Sequence, residues 1–308
     1  MKKIFKYYFL GSFSTLIFLF LVSNFLILYN KDFLLRSYYR LISFQNSLKN
    51  SKNLFKKNYN FGKLNEEFTS CLPDLITEIP NNSSVIIGHA YGRRDGTNLH
   101  RMSLSPKVSR FLRTNKNKID SLFLTGDVFV FPSKNKWEKL YRDFSDYFEI
   151  YIAPGNHDIG NKENEMIFRN ATKLKQPFRF PFLINASGFK IILDNSNEEL
   201  DPKSYDELLK NIPDKVLVLQ HHVLIKELSE YGGNTKFIYN KDIFEEIFLN
   251  QKNVNIIYGN GGMYHDKPRI ACYVHKNLRH IINGIGEYKK DNILVLNNGL
   301  IYRYIIGN

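Results

Sequence analysis

From residue 85 onward, short apolar runs alternate with polar or amphipathic stretches. The runs are rich in Val, Ile and Phe and are short enough to be buried β-strands; six of them lie at Val85–Ile87, Leu122–Leu124, Ile150–Ala153, Phe189–Leu193, Val216–Leu219 and Ile256–Tyr258. The pattern predicts helices at Ser105–Asn115, Asn135–Phe144, Lys203–Asn211 and Asp242–Asn250. It predicts further strands at Arg269–Tyr273, His280–Ile282, Asn292–Leu296 and Ile301–Ile306. This order predicts a layered α/β sandwich with an antiparallel portion.

The N-terminal segment has a different pattern. Phe9–Tyr29 is an uncharged, largely apolar stretch of 21 residues that follows three lysines, and about 20 such residues cross a hydrocarbon core of about 30 Å. We therefore expect a single N-terminal transmembrane helix, with a cleaved signal peptide and a buried core helix as the alternatives. The predicted division is a membrane anchor over residues 1–29, a basic juxtamembrane connector over residues 30–82 and a folded domain over residues 83–308.

Positive charge is in excess along the chain. It has 43 Lys+Arg against 30 Asp+Glu, a formal net charge of +13, which favours anionic partners such as phosphorylated molecules or lipid headgroups. No aromatic–basic stripe or recognised module accompanies the charge, so we do not expect a nucleic-acid partner. Basic residues flank the apolar stretch on both sides, and the positive-inside rule leans only slightly toward a cytoplasmic domain.

The cysteine content excludes a disulfide-rich scaffold. Only Cys71 and Cys272 are present, far apart in the sequence. Two such residues make no disulfide framework, and no CxxC spacing indicates zinc or redox chemistry. We expect both to be free thiols.

Polar segments follow five of the six predicted central strands directly. They contain turn residues and metal-ligand types: Gly88-His89-Ala90-Tyr91-Gly92, Gly126-Asp127, Gly155-Asn156-His157-Asp158, Gln220-His221-His222 and Gly259-Asn260-Gly261-Gly262. In open α/β sheets, ligands bind outside the carboxyl ends of the strands, so these segments should converge. Each alone is common in structural turns. All of them in order, each at a strand end, predict a metal site.

Three of these segments resemble the ordered motifs of a known family. Gly126-Asp127, Gly155-Asn156-His157-Asp158 and His221-His222 are similar to the motifs of calcineurin-like metallophosphoesterases, relatives of the purple acid phosphatases. The resemblance covers about residues 83–308 and implies a two-metal hydrolase on a four-layered αββα sandwich.

The resemblance also implies roles for single residues. Asp127 would bridge two metal ions, Asn156 would bind one of them, and His157 would lie near the leaving group. His221 would ligate the same metal as Asn156, and His222 is the alternative for that position.

The first and last motifs depart from the family pattern. The family opens with Asp-x-His, where this chain has His89-Ala90-Tyr91, and closes with Gly-His-x-His, where this chain has Gly259-Asn260-Gly261-Gly262. Imidazole and phenolate both bind transition metals, so His89 and Tyr91 are candidate replacement ligands. The side-chain oxygen of Asn260 is a further candidate.

The predicted function is hydrolysis of a phosphomonoester or phosphodiester close to a membrane. One or two ions of iron, manganese or zinc would activate a water molecule, His157 would protonate the departing oxygen, and Asp158 would orient the imidazole of His157. The substrate would be a phosphorylated small molecule, lipid or glycan. The alternative is a catalytically degenerate, membrane-tethered binding or scaffold protein that retains the fold.

Overall fold

A computed structural model describes residues 68–92, 104–173, 175–177, 179–210, 215–229, 237–239, 241–260, 270–286 and 291–307. The predicted membrane anchor and most of the predicted connector lie outside these residues. In the described part of the chain, no helix is both long enough and apolar enough to cross a membrane.

The described elements alternate between strand and helix before ending in strands. The strands are β1 (Asp74–Ile76), β2 (Ser83–Ile87), β3 (Ile119–Thr125), β4 (Glu149–Ala153), β5 (Phe182–Ala186), β6 (Phe189–Leu193), β7 (Val216–Gln220), β8 (Val254–Tyr258), β9 (Ile270–His275), β10 (Leu278–Asn283), β11 (Asp291–Asn297) and β12 (Leu300–Ile306). The helices are α1 (Pro106–Asn115), α2 (Lys134–Phe144), α3 (Asn156–Ile159), α4 (Lys162–Thr172), α5 (Pro202–Leu209) and α6 (Asp242–Ile247), with a 3₁₀ turn at Lys226–Leu228.

These strands form two mixed sheets. The first has the order β1-β12-β11-β2-β3-β4 and the second has the order β5-β6-β7-β8-β10-β9. Strands β2, β3 and β4 are parallel, and so are β6, β7, β8 and β10. Their carboxyl ends therefore lie at one edge of each sheet. The two edges meet, because Gly88 after β2 forms a bridge with Gly284 after β10.

Successive side chains of a strand point to opposite faces of the sheet and therefore pack in different hydrophobic cores. In β3, Leu122 and Leu124 pack under α1 and α2 together with Trp137, whereas Phe123 faces the other sheet. In β7, Val216 and Val218 pack against α5 and α6, whereas Leu217 and Leu219 face the first sheet. Because side chains alternate between the two faces of a strand, these cores produce a helix–sheet–sheet–helix arrangement.

All the predicted strands and helices occur, and their ends differ from the prediction by at most three residues. The chain also forms five elements that the pattern did not predict: β1, β5, α3, α4 and the 3₁₀ turn at Lys226–Leu228. Strands β1 and β5 are edge strands whose residues are mostly exposed or half-buried. The apolar run of β1 is only Leu75-Ile76, and that of β5 ends at Asn185. Helix α4 buries only Phe168 and Thr172 and therefore has a weak apolar stripe. Strand β1 also lies within the predicted connector, so the folded domain extends N-terminal of residue 83.

The expectation of two free thiols is wrong. Cys71 and Cys272 form a disulfide, with a Cα–Cα distance of 5.8 Å. Cys71 precedes β1, an edge strand of the first sheet, and Cys272 lies in β9, an edge strand of the second. Both side chains belong to the core between the sheets. Sheet packing thus brings together two cysteines that sequence separation alone gave no reason to pair.

Candidate metal centre

Asp127 lies at the centre of the converging segments. It follows β3 and Gly126, its side chain is buried, and both residues have positive φ angles, 77° for Gly126 and 53° for Asp127. A Cβ on Gly126 would lie 2.4 Å from Nδ1 of His221, so glycine is required for both its conformation and the close approach. A non-glycine residue in this conformation is strained, and such strain is typical of functional sites.

Three imidazoles surround the Asp127 carboxylate. Nε2 of His221 lies 3.3 Å from Oδ1. On the other side of the carboxylate, Nε2 of His89 lies 3.7 Å from Oδ2 and Nε2 of His157 lies 4.0 Å from Oδ2. His221 follows β7, His89 follows β2, and His157 belongs to α3. Convergence of the strand ends therefore brings together four residues that are far apart in the sequence.

The other nitrogen of each ring is held by a backbone carbonyl. Nδ1 of His221 lies 3.0 Å from the carbonyl oxygen of Thr125. Nδ1 of His89 and of His157 lie 3.2 Å and 2.9 Å from carbonyl oxygens that belong to Ile285 and Val130, respectively. Because a carbonyl only accepts, each Nδ1 carries a hydrogen, and Nε2 presents a lone pair toward Asp127 whenever the ring is neutral. Metal-binding histidines are oriented in this way.

The charge distribution also fits a cation at this point. Burial raises the pKa of Asp127, but His221 and His157 outweigh it and hold the pKa well below its usual value. Burial lowers the pKa of His221, but the Asp127 carboxylate produces a net increase. Nε2 of His221 is buried and faces Oδ1 of Asp127, to which it donates a hydrogen bond only when the ring is protonated. Two acceptors 3.3 Å apart repel each other unless a proton or a metal ion lies between them.

The Gly155–His157 segment closes over the same carboxylate. The His157 backbone N–H donates to Oδ1 of Asp127 at 3.0 Å, and a Cβ on Gly155 would lie 2.4 Å from that oxygen. Asn156, the first residue of α3, is exposed. The segment therefore borders the site, with the Asn156 side chain at the solvent side.

Asp158 has a different role from the one expected. Its carboxylate accepts backbone N–H bonds from Asp127 at 2.8 Å, Gly155 at 2.9 Å and Val128 at 3.2 Å. Burial, with repulsion from Asp127, raises the pKa of Asp158 to about 7. The carbonyl of Val130 holds His157 instead. Asp158 thus fixes the two turns that carry Asp127 and Asn156.

Replacing Asp158 with asparagine tests this structural role. The Asp158→Asn variant should lose about 1–3 kcal/mol of unfolding free energy, because an amide N–H₂ would face at least one buried N–H donor. Urea unfolding of the full chain in chelator measures the change without a contribution from metal. Asp146→Asn, at an exposed carboxylate, is the matched control, and equal stability of the two variants would contradict the assigned role.

Tyr91 packs beside two of the imidazoles. Its ring centroid lies 4.1 Å from that of His89 and 5.7 Å from that of His157, and its side chain is fully buried. His89 and Tyr91 are the two candidate replacements for the first family motif. His89 faces the Asp127 carboxylate, and Tyr91 packs against His89 and His157.

The structure distinguishes His221 from His222. Nδ1 of His222 lies 3.4 Å from Nδ2 of Asn260, and its Nε2 lies 3.2 Å from Oδ1 of Asn197. Burial and the neighbouring His221 lower the pKa of His222 to about 3, so this ring is neutral and held by two amide side chains. Asn260 contacts His222, and its backbone N–H donates to the carbonyl of His221. His221 is therefore the imidazole that faces Asp127.

A turn after β6 supports the His221-His222 segment and was not predicted. Oγ of Ser196 accepts the backbone N–H groups of His221 and His222, at 3.2 Å and 2.8 Å. Nδ2 of Asn197 donates to the carbonyl of Pro154 at 3.0 Å. The turn therefore connects the loops of the two sheets. Its sequence signal is the polar segment Asp194–Asn197. This segment directly follows β6, the one predicted central strand that was not assigned a metal-ligand segment.

Comparison with models of protein families gives one match to this chain. A family model described as calcineurin-like phosphoesterase matches residues 99–298. The matched range contains Asp127, Asn156, His221 and Asn260 but begins after His89 and Tyr91. A search of curated proteins finds no significant match.

Solved structures that match this chain include proteins from a plant and from two bacteria. Purple acid phosphatase PPD1 from yellow lupin (Lupinus luteus) seeds is 11% identical with a TM-score of 0.46, and the match covers 71% of this chain but only 49% of the lupin protein. TT1561 of Thermus thermophilus is 11% identical with a TM-score of 0.45, over 73% of this chain and 99% of that protein. Thermotoga maritima TM1076 is 12% identical with a TM-score of 0.35, over 74% of this chain and 99% of that protein.

The family match extends over well more than half of the 308 residues. It includes the second sheet, strands β3, β4 and β11 of the first sheet, and the segments that carry Asp127, His157 and His221. The chain therefore belongs to the calcineurin-like phosphoesterase family.

Proposed function

We propose that this protein is a metal-dependent phosphoesterase that hydrolyses a phosphomonoester or phosphodiester. The observation that supports it most directly is the arrangement around Asp127. Three imidazoles are oriented through Nδ1 by backbone carbonyls and present Nε2 to one buried carboxylate. His89 and His157 face Oδ2 of Asp127, and His221 faces Oδ1. This division is expected for a carboxylate that would bridge two ions.

The proposed ligands divide between the two oxygens of Asp127. His221 would bind on the Oδ1 side, with Asn156 at the rim. His89 would bind on the Oδ2 side, beside Tyr91. Imidazole and carboxylate donors suit iron, manganese or zinc. Asn260 contacts His222 through Nδ2, which leaves its side-chain oxygen as the proposed ligand atom.

Ions of this kind, when bound, lower the pKa of water and neutralise charge on phosphoryl oxygens. His157 would supply the proton for the departing oxygen. Its side chain retains 14% exposure and is thus accessible from the solvent side of the site. Since Nδ1 donates to Val130, the proton would leave from Nε2 of the imidazolium form.

Metal content and hydrolysis, measured on the same samples, test the proposal. We expect one or two iron, manganese or zinc ions per chain and hydrolysis of an aryl phosphate or its diester, both lost on chelation and on the His221→Ala substitution. A surface group formed by Asp242, Glu245 and His275 also has metal-ligand spacing. His275→Ala is therefore the matched control for adventitious binding and should retain activity. Metal-free, inactive protein after reconstitution with each ion would favour the degenerate scaffold instead.

We further propose that residues 9–29 anchor the domain in a membrane, with the domain on an oxidising side. The Cys71–Cys272 disulfide supports this orientation over the slight cytoplasmic lean of the flanking charges, because disulfides persist where thiols are oxidised.

Alkylation of thiols at the moment of cell lysis tests this orientation: both cysteines should resist labelling until a reductant is added. Immediate labelling would favour a cytoplasmic domain. The substrate would then be a phosphorylated small molecule, lipid or glycan at that membrane.

A further inference from the structure

A polar pocket lies at the end of the second sheet opposite to Asp127 and the candidate metal centre. It has a volume of about 320 Å³, and Lys215, Arg279, Asn253 and Asn255 are among its lining residues. Lys215 and Asn253 precede β7 and β8, whereas the candidate metal centre follows the carboxyl ends of these strands. We call this cavity the amino-end pocket. Strands of five residues separate it from the metal centre, so the two sites are distinct.

Arg279 is a partly buried cation in this pocket without a carboxylate partner. Its Nε donates to Oδ1 of Asn255 at 2.7 Å, and Nη1 lies 3.5 Å from the carbonyl oxygen of Cys71. Both acceptors are neutral, and no carboxylate of the described residues forms an ion pair with this guanidinium. Burial lowers the pKa of Arg279. An anion in the pocket would offset this unfavourable burial of charge.

Lys215 adds a second cation to the pocket. A Cβ on Gly299 would lie 2.6 Å from its Nζ, so the ammonium group lies against a stretch of backbone where only glycine leaves room. Lys215 forms no ion pair with any residue that the structure describes. Asp74 is the one carboxylate among the lining residues, so the charge of the lining remains positive.

We propose that the amino-end pocket binds a phosphate group, carried either by a soluble phosphorylated molecule or by a lipid headgroup. A guanidinium fixed by Asn255 provides directional N–H donors, and the Lys215 ammonium provides a point charge. The amides of Asn253 and Asn255 add neutral donors. A tetrahedral dianion takes several donors at once, which this combination provides. The site is additional to the phosphoester hydrolysis proposed at Asp127.

Phosphate titration of the full chain in detergent tests this inference. The titration is made with chelator in an Asp127→Asn background, so that the metal centre does not contribute and failure of the proposed hydrolysis does not affect the result. Inorganic phosphate should bind saturably by calorimetry, and Lys215→Gln should weaken it about tenfold. Lys215→Arg should restore most of the affinity. Lys203→Gln, at an exposed lysine on α5, should have no effect.

The source of the phosphate group is tested in a second titration. Tighter binding of soluble dihexanoyl phosphatidic acid than of inorganic phosphate, sensitive to Lys215→Gln, would support a lipid headgroup. Equal binding would support a soluble ligand. Absence of saturable phosphate binding, or binding unchanged by Lys215→Gln, would overturn the proposal.

Discussion

Replacing Asp127 with asparagine is expected to remove the bound metal and to lower phosphoester hydrolysis by about a thousandfold or more. The substitution keeps the shape of the side chain but removes the negative charge that faces His89, His157 and His221. Metal ions stabilise transition-state charge by several kcal/mol, and each 1.36 kcal/mol corresponds to a tenfold change in rate. Elemental analysis and initial rates with an aryl phosphate, measured on one preparation, provide both readouts.

Asp120→Asn is the matched control for this experiment. Asp120 lies on the same strand, β3, but is exposed, so its variant should keep both metal and activity. Thermal unfolding of the Asp127→Asn variant must accompany the assay, because Asp127 also accepts the backbone N–H of His157. A folded Asp127→Asn protein that retained its metal and its hydrolysis rate would refute the proposed centre.

The second large effect is expected at the disulfide. Its two cysteines are separated by 201 residues, and closing a loop of that size restricts the unfolded chain by about 5 kcal/mol in the chain-entropy description. The Cys71→Ser variant should lose a large part of this stability, measured as the unfolding free energy in urea. Cys71 is preferred for the substitution because Cys272 is fully buried, where a serine hydroxyl would add a desolvation cost of its own.

A reductant provides the control for the loss of the covalent link. Dithiothreitol should destabilise the wild-type protein to about the level of Cys71→Ser and should leave the variant unchanged. If the reductant has no effect on the wild type, or affects both proteins equally, the disulfide does not stabilise the native protein.

The sequence predicted the central strands well because those strands are buried on both faces. Strands β3 and β7 lie between a helix layer and the other sheet, so their central residues, Leu122–Leu124 and Val216–Leu219, are all apolar. Edge strands have only partial cover, and β5 therefore mixes Asn185 with apolar residues. The disulfide was missed for a related reason: a contact between the edges of two sheets depends on how the sheets pack and leaves no local pattern.

The candidate site was predicted in outline but not in its supporting contacts. Asp127 and His157 lie close together because β3 and β4 are parallel neighbours in the first sheet. His221 follows β7 of the second sheet and reaches them because the edges of the two sheets meet. The groups that orient the rings are backbone carbonyls of Ile285, Val130 and Thr125. Every residue has such a carbonyl, so no residue type marks it.

The Cys71–Cys272 bond also closes residues 71–272 of the chain into a covalent ring. His89, Asp127, Asn156, His221 and Asn260 all lie inside this ring in the chain order. A protease that cut one loop anywhere between the two cysteines would therefore produce two fragments that stay linked. Each fragment would still hold its strands in shared sheets. Under non-reducing conditions a nicked molecule would migrate as one species, and its complete set of candidate ligands would remain tied to the N-terminal segment.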